Sequence, residues 1–259
     1  MSYIEQLFGL KGKTAVVIGG SGVLAGAMAE GLSKAGANIA ILGRNIEKAE
    51  RKAEDIASES GVKTIALKVD ATKKDSLINA KSKINEKLGK VDILINAPGM
   101  TSKTKFLKIT EEEWDEIVNT NLKSALFGCQ VFGEEMFKNK DGSIINISSV
   151  ASGPPLSKVF AYSATKAAIN NLTRTLAIEW ASANVRVNAI VPGFFPAEQN
   201  RKMLTEERIT SIMAHTPMKR FGNPDELVAA TIWLASSKAS SFVTGSIITV
   251  DGGFTSMTI

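Results

Sequence analysis

The chain has 259 residues, 44% of them hydrophobic and 22% charged, with one cysteine, one histidine and a formal net charge of +5 at pH 7. Those proportions exclude a disordered chain, a collagen and a disulfide scaffold, and no apolar run approaches the ~18 residues that span a bilayer. The positive balance comes from lysines interspersed with glutamates, as in Asn45 to Glu59 and Lys73 to Lys90, which is the pattern of solvated helix faces rather than of a nucleic-acid interface; His215 and Cys129 alone cannot build a metal cluster.

Met1 to Leu10 lack the basic, apolar, small-residue order of an export signal, so the expectation is a soluble cytoplasmic protein with no membrane partner. Thr14 to Ile18 reads as a buried strand, followed by the turn Gly19-Gly20-Ser21-Gly22 and an alanine-rich helix from about Ala25 to Ala35. Glycines let a backbone approach a pyrophosphate closely, and a helix N-terminus behind them offers unpaired N–H groups. Strand Asn38 to Leu42 leads into Gly43-Arg44-Asn45 and a helix over Ile46 to Ser58. An acidic residue at this place would bind a ribose 2′-hydroxyl; Arg44 suits a 2′-phosphate instead, which favours NADP(H) while leaving NAD(H) possible.

Further strands are expected at Thr64 to Val69, Val91 to Ile95, Ser143 to Ile147, Val185 to Val191 and Ile247 to Val250. Continuous apolar strands alternating with amphipathic helices predict one α/β domain over residues 1–259. Its core is a doubly wound parallel sheet of about seven strands with helices on both faces. Right-handed crossovers bring all strand carboxyl ends to one edge. Near the middle, Ser149 precedes Tyr162 by thirteen residues, and Lys166 follows Tyr162 by four, one helical turn on. A phenol titrates near ~10, and bringing it down ~3 units takes about 4 kcal/mol of differential stabilisation, to which a neighbouring ammonium contributes.

With these elements in order, the chain resembles the short-chain dehydrogenase/reductase family, of Rossmann type, over essentially its whole length. The resemblance assigns Asn121, Ser149, Tyr162 and Lys166 as catalytic. It assigns cofactor contacts to Gly19, Ser21, Gly22, Leu24, Arg44, Asn45, Asp70, Ala71, Asn96, Ala97 and Gly99, and also to Tyr162, Lys166, Pro192, Gly193 and Phe195. The glycine turn departs from the family pattern at Ile18, Val23 and Ala25, so two registers stay open: one starting at Gly19, the other Gly20-x-Gly22-x-x-Ala25. Ala197 replaces a usual threonine and Pro98 a usual alanine.

The roles implied by the family are a proton donor or acceptor for Tyr162, and for Lys166 a lowered phenol pKa and a bond to the nicotinamide ribose. Ser149 is implied to polarise the carbonyl, and Asn121 to hold a water that relays protons. The Tyr–Lys spacing suits carbonyl rather than carbon–carbon double-bond reduction, because enoyl reductases of this fold separate the pair more widely. A substrate lid is expected at about 194–220. The stretches around Pro192 to Arg201 and His215 to Gly222 resemble those of sugar-acid enzymes of the D-mannonate oxidoreductase and gluconate 5-dehydrogenase kind. Lys158, Arg201 or His215 would then pair a substrate carboxylate, and Gln199 and Asn200 its hydroxyls. Alternatives are a reductase of another carbonyl, such as a 3-oxoacyl thioester, with Lys103 and Lys105 facing a carrier protein, or a non-catalytic NADP-binding sensor. The family also implies a homotetramer or homodimer.

Overall fold

In the computed structural model of the chain, residues 2–154, 156–157, 159–196 and 205–257 are described. The strands are β1 (Thr14–Ile18), β2 (Asn38–Gly43), β3 (Thr64–Lys68), β4 (Ile93–Asn96), β5 (Gly142–Ile147), β6 (Val185–Pro192) and β7 (Ile247–Val250). They form one sheet in the order β3-β2-β1-β4-β5-β6-β7, and every pairing is parallel. The seven expected strands are all present. The fourth begins later than the apolar run suggests, because Asp92 is drawn off to hold the end of β1: its carboxylate accepts from the Thr14 N–H at 3.0 Å.

The helices are α1 (Tyr3–Phe8), α2 (Val23–Lys34), α3 (Ile46–Ser60), α4 (Lys74–Leu88), α5 (Glu111–Val118), α6 (Ser124–Asn139), α7 (Phe160–Trp180), α8 (Glu206–Ala214) and α9 (Val228–Ala235). Alternate strand residues explain why both sheet faces are covered. Ala15, Val17, Ile39 and Ile41 pack with Met28, Leu32, Ala53 and Ile56 of α2 and α3 and with Leu234 of α9. Their neighbours Val16, Ile18, Ala40 and Leu42 turn the other way, toward Leu77 and Ile84 of α4 and Phe132 and Met136 of α6. Each of the larger fully buried side chains, Val, Ile, Leu, Met and Phe, contributes about 1.5–3 kcal/mol of transfer free energy, so the register of these strands is fixed by two cores at once.

Strand order reverses between β1 and β4: from β1 the sheet continues through β2 and β3 on one side and through β4 to β7 on the other. Loops leaving neighbouring strands at such a switch point diverge to opposite faces and leave a crevice at the carboxyl edge. That crevice is where the residues of interest meet.

Candidate active site

A cleft of about 560 Å³ occupies the carboxyl edge of β1, β4, β5 and β6. Its floor near β1 is built by Gly19 and Gly22, with Leu24 and Ala25 of the first turn of α2. Gly19 adopts φ +80°, the left-handed region where a side chain is strained, and a Cβ there would lie 3.1 Å from the Ala97 carbonyl oxygen. Gly20 instead faces the interior, with Ile41 and Val17 at 3.0 Å from where its Cβ would be. The register starting at Gly19 therefore meets the cleft; Gly22 and Ala25 of the other register line it too, but its first glycine, Gly20, does not. Helix α2 starts two residues earlier than expected, because Gly22 already serves as its N-cap; no side chain caps it, so its first-turn N–H groups stay available to an anion.

Ala97 and Gly99 after β4, Pro192 at the end of β6, and Gly193 and Phe195 after it line the same cleft. Asn96 does not. Its side chain is 2% exposed, and its amide donates to Asn146 Oδ1 at 2.9 Å and toward Cys129 Sγ at 3.3 Å. The strand alternation that aims Ala97 into the cleft turns Asn96 toward α6, so it holds the strands together rather than contacting a ligand. Ser21, Arg44, Asn45, Asp70 and Ala71 lie outside the enclosed volume, in the loops after β1, β2 and β3. A Cβ on Gly43 would meet Ser21 Oγ at 3.2 Å, so Ser21 borders the loop that presents the exposed Arg44. Asn45 is committed locally, its Oδ1 capping α3 by accepting from the Lys48 N–H at 2.9 Å. Asp70 accepts from Thr72 at 2.7 Å; that bond, with Lys73 and Arg44 contributing, holds its carboxyl below the usual range despite some burial.

The reacting end lies where β5 meets α7. Ser149 follows β5; its hydroxyl accepts from the Ala151 N–H at 3.2 Å and lies close enough to the Tyr162 hydroxyl to favour its ionised form. The Lys166 ammonium sits 5.6 Å from the centre of the Tyr162 ring and donates to the Ile147 carbonyl at 2.7 Å. One turn of α7 thus brings phenol and ammonium to the same face, as the spacing requires. Their proton affinities differ from the expectation in one respect. Burial pushes the Tyr162 phenol up, with the Ser149 hydrogen bond opposing, and Lys166 exerts no resolved downward pull. Lys166 itself is 4% exposed and is pushed down to about 8 by burial. The low dielectric that would strengthen the attraction first penalises each charge. In this geometry the phenol is a held proton donor.

The Asn121 side chain is fully engaged by its neighbours. It lies in a π-helical turn, Asn119–Lys123, between α5 and α6, a distortion often found at functional sites. Its Oδ1 accepts from the Met100 N–H at 2.7 Å, and its amide donates to the Met100 carbonyl at 2.9 Å and to Thr165 Oγ1 at 3.0 Å. Both amide hydrogens are used, so the side chain clamps the loop after β4 to α7.

His215 lies outside the main cleft, its ring 4.9 Å from that of Phe254. Lys158, Gln199, Asn200 and Arg201, like Ala197, fall outside the described residues. One residue that sequence reasoning passed over lines the cleft: Arg208 on α8. Besides Lys166 it is the only charged side chain among the described residues of that lining, and no carboxylate joins them. Its signal was available in the pattern Arg208, Ser211, His215, which places three polar groups on one helix face.

The residues fit a nicotinamide dinucleotide: an uncapped helix N-terminus for the pyrophosphate, a close-approach glycine beneath it, and a proton donor at the far end. Comparison with known proteins agrees. The family model described as Enoyl-(Acyl carrier protein) reductase matches residues 21–255. The uncharacterized oxidoreductase UxuB of Bacillus subtilis (strain 168) is 40% identical over 266 residues, covering 95% of each chain. An NAD-dependent glycerol dehydrogenase of Listeria innocua is 36% identical, covering 97% of each. The crystal structure of a gluconate 5-dehydrogenase from Burkholderia cenocepacia J2315, in complex with NADP and tartrate, superposes with a TM-score of 0.92 at 31% identity, covering 99% of this chain and 100% of that one. The chain belongs to the short-chain dehydrogenase/reductase family and is an oxidoreductase of the alcohol–carbonyl couple.

Proposed function

We propose that the protein interconverts a ketone and a secondary alcohol of a sugar acid or polyol, drawing on NADP(H) in preference to NAD(H). The observation that supports the reaction most directly is the Ser149–Tyr162–Lys166 arrangement at one end of a cleft whose other end is an anion cradle. The bound cofactor supplies the hydride; everything else is done by the chain. Tyr162 holds its proton at Oη and delivers it to the substrate oxygen, while the Ser149 hydroxyl fixes that oxygen against Tyr162. Lys166, anchored on the Ile147 carbonyl, puts positive charge beside the phenol when the alkoxide is the base, and Asn121 fixes the floor of the site through Met100 and Thr165.

Arg44 supports the cofactor preference, since it is an exposed guanidinium beside Ser21 at the place where an NAD-selective site carries a carboxylate. The gluconate 5-dehydrogenase relative, with NADP, and the glycerol dehydrogenase relative, with NAD, bracket both cofactor and substrate. The cytoplasm, where reduced nicotinamide is available, is the proposed compartment, and residues 1–259 the proposed single domain with its lid at about 194–220. Assembly through α6 and α7 is proposed on the exposure of Leu126, Phe137 and Ile178.

A second reading has one observation in its favour. Phe106 and Leu107, 70% and 89% exposed, flank the loop that reaches the cleft at Thr101, with Lys103, Lys105 and Lys108 around them. That is a surface an acidic acyl carrier could use. Following reduced-nicotinamide absorbance with NADPH and NADH against keto sugar acids, neutral ketoses and a 3-oxoacyl thioester separates the readings. The proposal expects the highest kcat/KM with a keto sugar acid or ketose and NADPH. Preference for the thioester would favour the second reading, and tight NADPH binding without any turnover would make the protein a sensor. Arg44→Asp is expected to swing the NADPH:NADH ratio of kcat/KM by tenfold or more toward NADH; an unchanged ratio would remove Arg44 from the cofactor site.

A further inference from the structure

A second chamber, of about 240 Å³, adjoins the catalytic cleft and shares Leu156, Phe194 and Arg208 with it. Its polar lining is Arg208, Ser211 and His215 of α8 and its C-cap, at positions i, i+3 and i+7, with Ser157 opposite. A helix that packs on a protein body normally turns an apolar stripe inward. Here Ile212, 3% exposed, provides the anchor, and the groups beside it are a guanidinium, a hydroxyl and an imidazole. Arg208 is half-buried and, among the described residues, forms no ion pair and meets no carboxylate in the lining of either cavity. The neighbouring Arg220, by contrast, is neutralised by Glu226 at 2.6 Å. An unpaired guanidinium drawn partly out of water is unfavourable unless an anion completes it.

We infer that this chamber is the carboxylate subsite of the substrate, with Arg208 as the residue that sets specificity for acids over neutral sugars. The inference rests on the sugar-acid reading above. A substrate whose carbonyl oxygen lies between Ser149 and Tyr162 extends past Leu156 and Phe194, and its distal carboxylate meets the Arg208 fork, with the Ser211 hydroxyl donating a further hydrogen bond. The His215 ring, held against Phe254, closes the chamber on the far side.

The test compares 5-keto-D-gluconate with L-sorbose, which carries a hydroxymethyl group in place of the carboxylate. A hydrogen-bonded charge pair is worth tenfold or more, so Arg208→Gln is expected to lower the acid-to-neutral ratio of kcat/KM by at least roughly tenfold, acting through KM, with Arg208→Lys intermediate. An unchanged ratio in Arg208→Gln, with the acid still turned over by the wild type, overturns the subsite and leaves the proposed function standing. If the wild type reduces neutral ketones but no keto acid, the sugar-acid reading fails. Competitive inhibition of neutral-ketone reduction by tartrate then decides the subsite separately: weakening of tenfold or more in Arg208→Gln sustains it, and equal inhibition of both proteins overturns it. Thermal melting and NADPH binding of each variant exclude loss of folding as the cause of a change.

Discussion

Lys166 shows how a single residue here serves the reaction at the expense of the fold. Its ammonium is buried with one carbonyl as its hydrogen-bond partner, and its pKa falls from 10.5 to about 8. A cation whose folded-state pKa lies below its unfolded value destabilises the fold fully at lower pH, and that penalty fades as pH rises from about 8 toward 10.5. The shift caps the penalty at about 3 kcal/mol, and loss of the Ile147 bond offsets about 1 kcal/mol of any gain. Lys166→Met is therefore expected to be inactive yet more stable than the wild type by roughly 1–2 kcal/mol in urea unfolding at pH 7, with the advantage shrinking by pH 10. A variant that is less stable at pH 7, or a difference that does not move with pH, would contradict this. The sequence made Lys166 and Tyr162 legible because four residues on a helix dictate a shared face. It could not show that Asn96 points away from the cleft or that Asn121 uses both its amide hydrogens on neighbours, because those directions depend on partners fifty and forty-four residues away in the chain.

At the scale of elements, glycine marks where helices approach one another as well as where a ligand is admitted. Gly31 of α2 faces Val228 at the start of α9, and an added Cβ would lie 2.4 Å from a Val228 methyl. Valine is stiff at χ1, so the clash cannot be relieved by a small rotation and the two helices must separate. Gly31→Ala is expected to lower the urea midpoint by the equivalent of about 1–3 kcal/mol, with KM for NADPH nearly unchanged because the contact lies away from the cleft. An unaltered midpoint would show that α9 shifts freely. The strands were legible to within two residues because continuous apolar runs have few alternatives. The π-turn at Asn119–Lys123 was not, since its residues have ordinary helical preferences and the extra residue is imposed by the bonds of Asn121. The α8 face was legible in principle through the spacing of Arg208, Ser211 and His215, but a polar stripe on an unlocated helix reads as solvent-facing.

For the whole molecule, two features follow from one topology: a cleft at the switch point of the sheet, and a face of α6 and α7 with apolar side chains left in solvent. Ile178 on α7 is 81% exposed, and Phe137 on α6 packs against Trp180 with 43% of itself exposed. If that face joins copies of the chain, Ile178→Asp should reduce the mass measured by light scattering by a factor of two or more, whereas a wild-type monomer would refute the assembly. The parallel sheet with its carboxyl ends on one edge was legible from the chain because parallel strands need crossovers of one hand; the order of the strands and the covering of this face were not, since a buried stripe looks the same against a partner as against its own sheet. The account depends most on the phenol of Tyr162 being the proton donor at the place where hydride arrives. Measuring NADPH affinity and single-turnover carbonyl reduction for Tyr162→Phe tests that directly. The expected result is affinity within a fewfold of the wild type and a turnover rate lower by at least ~10²-fold, as for loss of a general acid. Turnover within tenfold of the wild type, or a parallel collapse of affinity and rate, would contradict it.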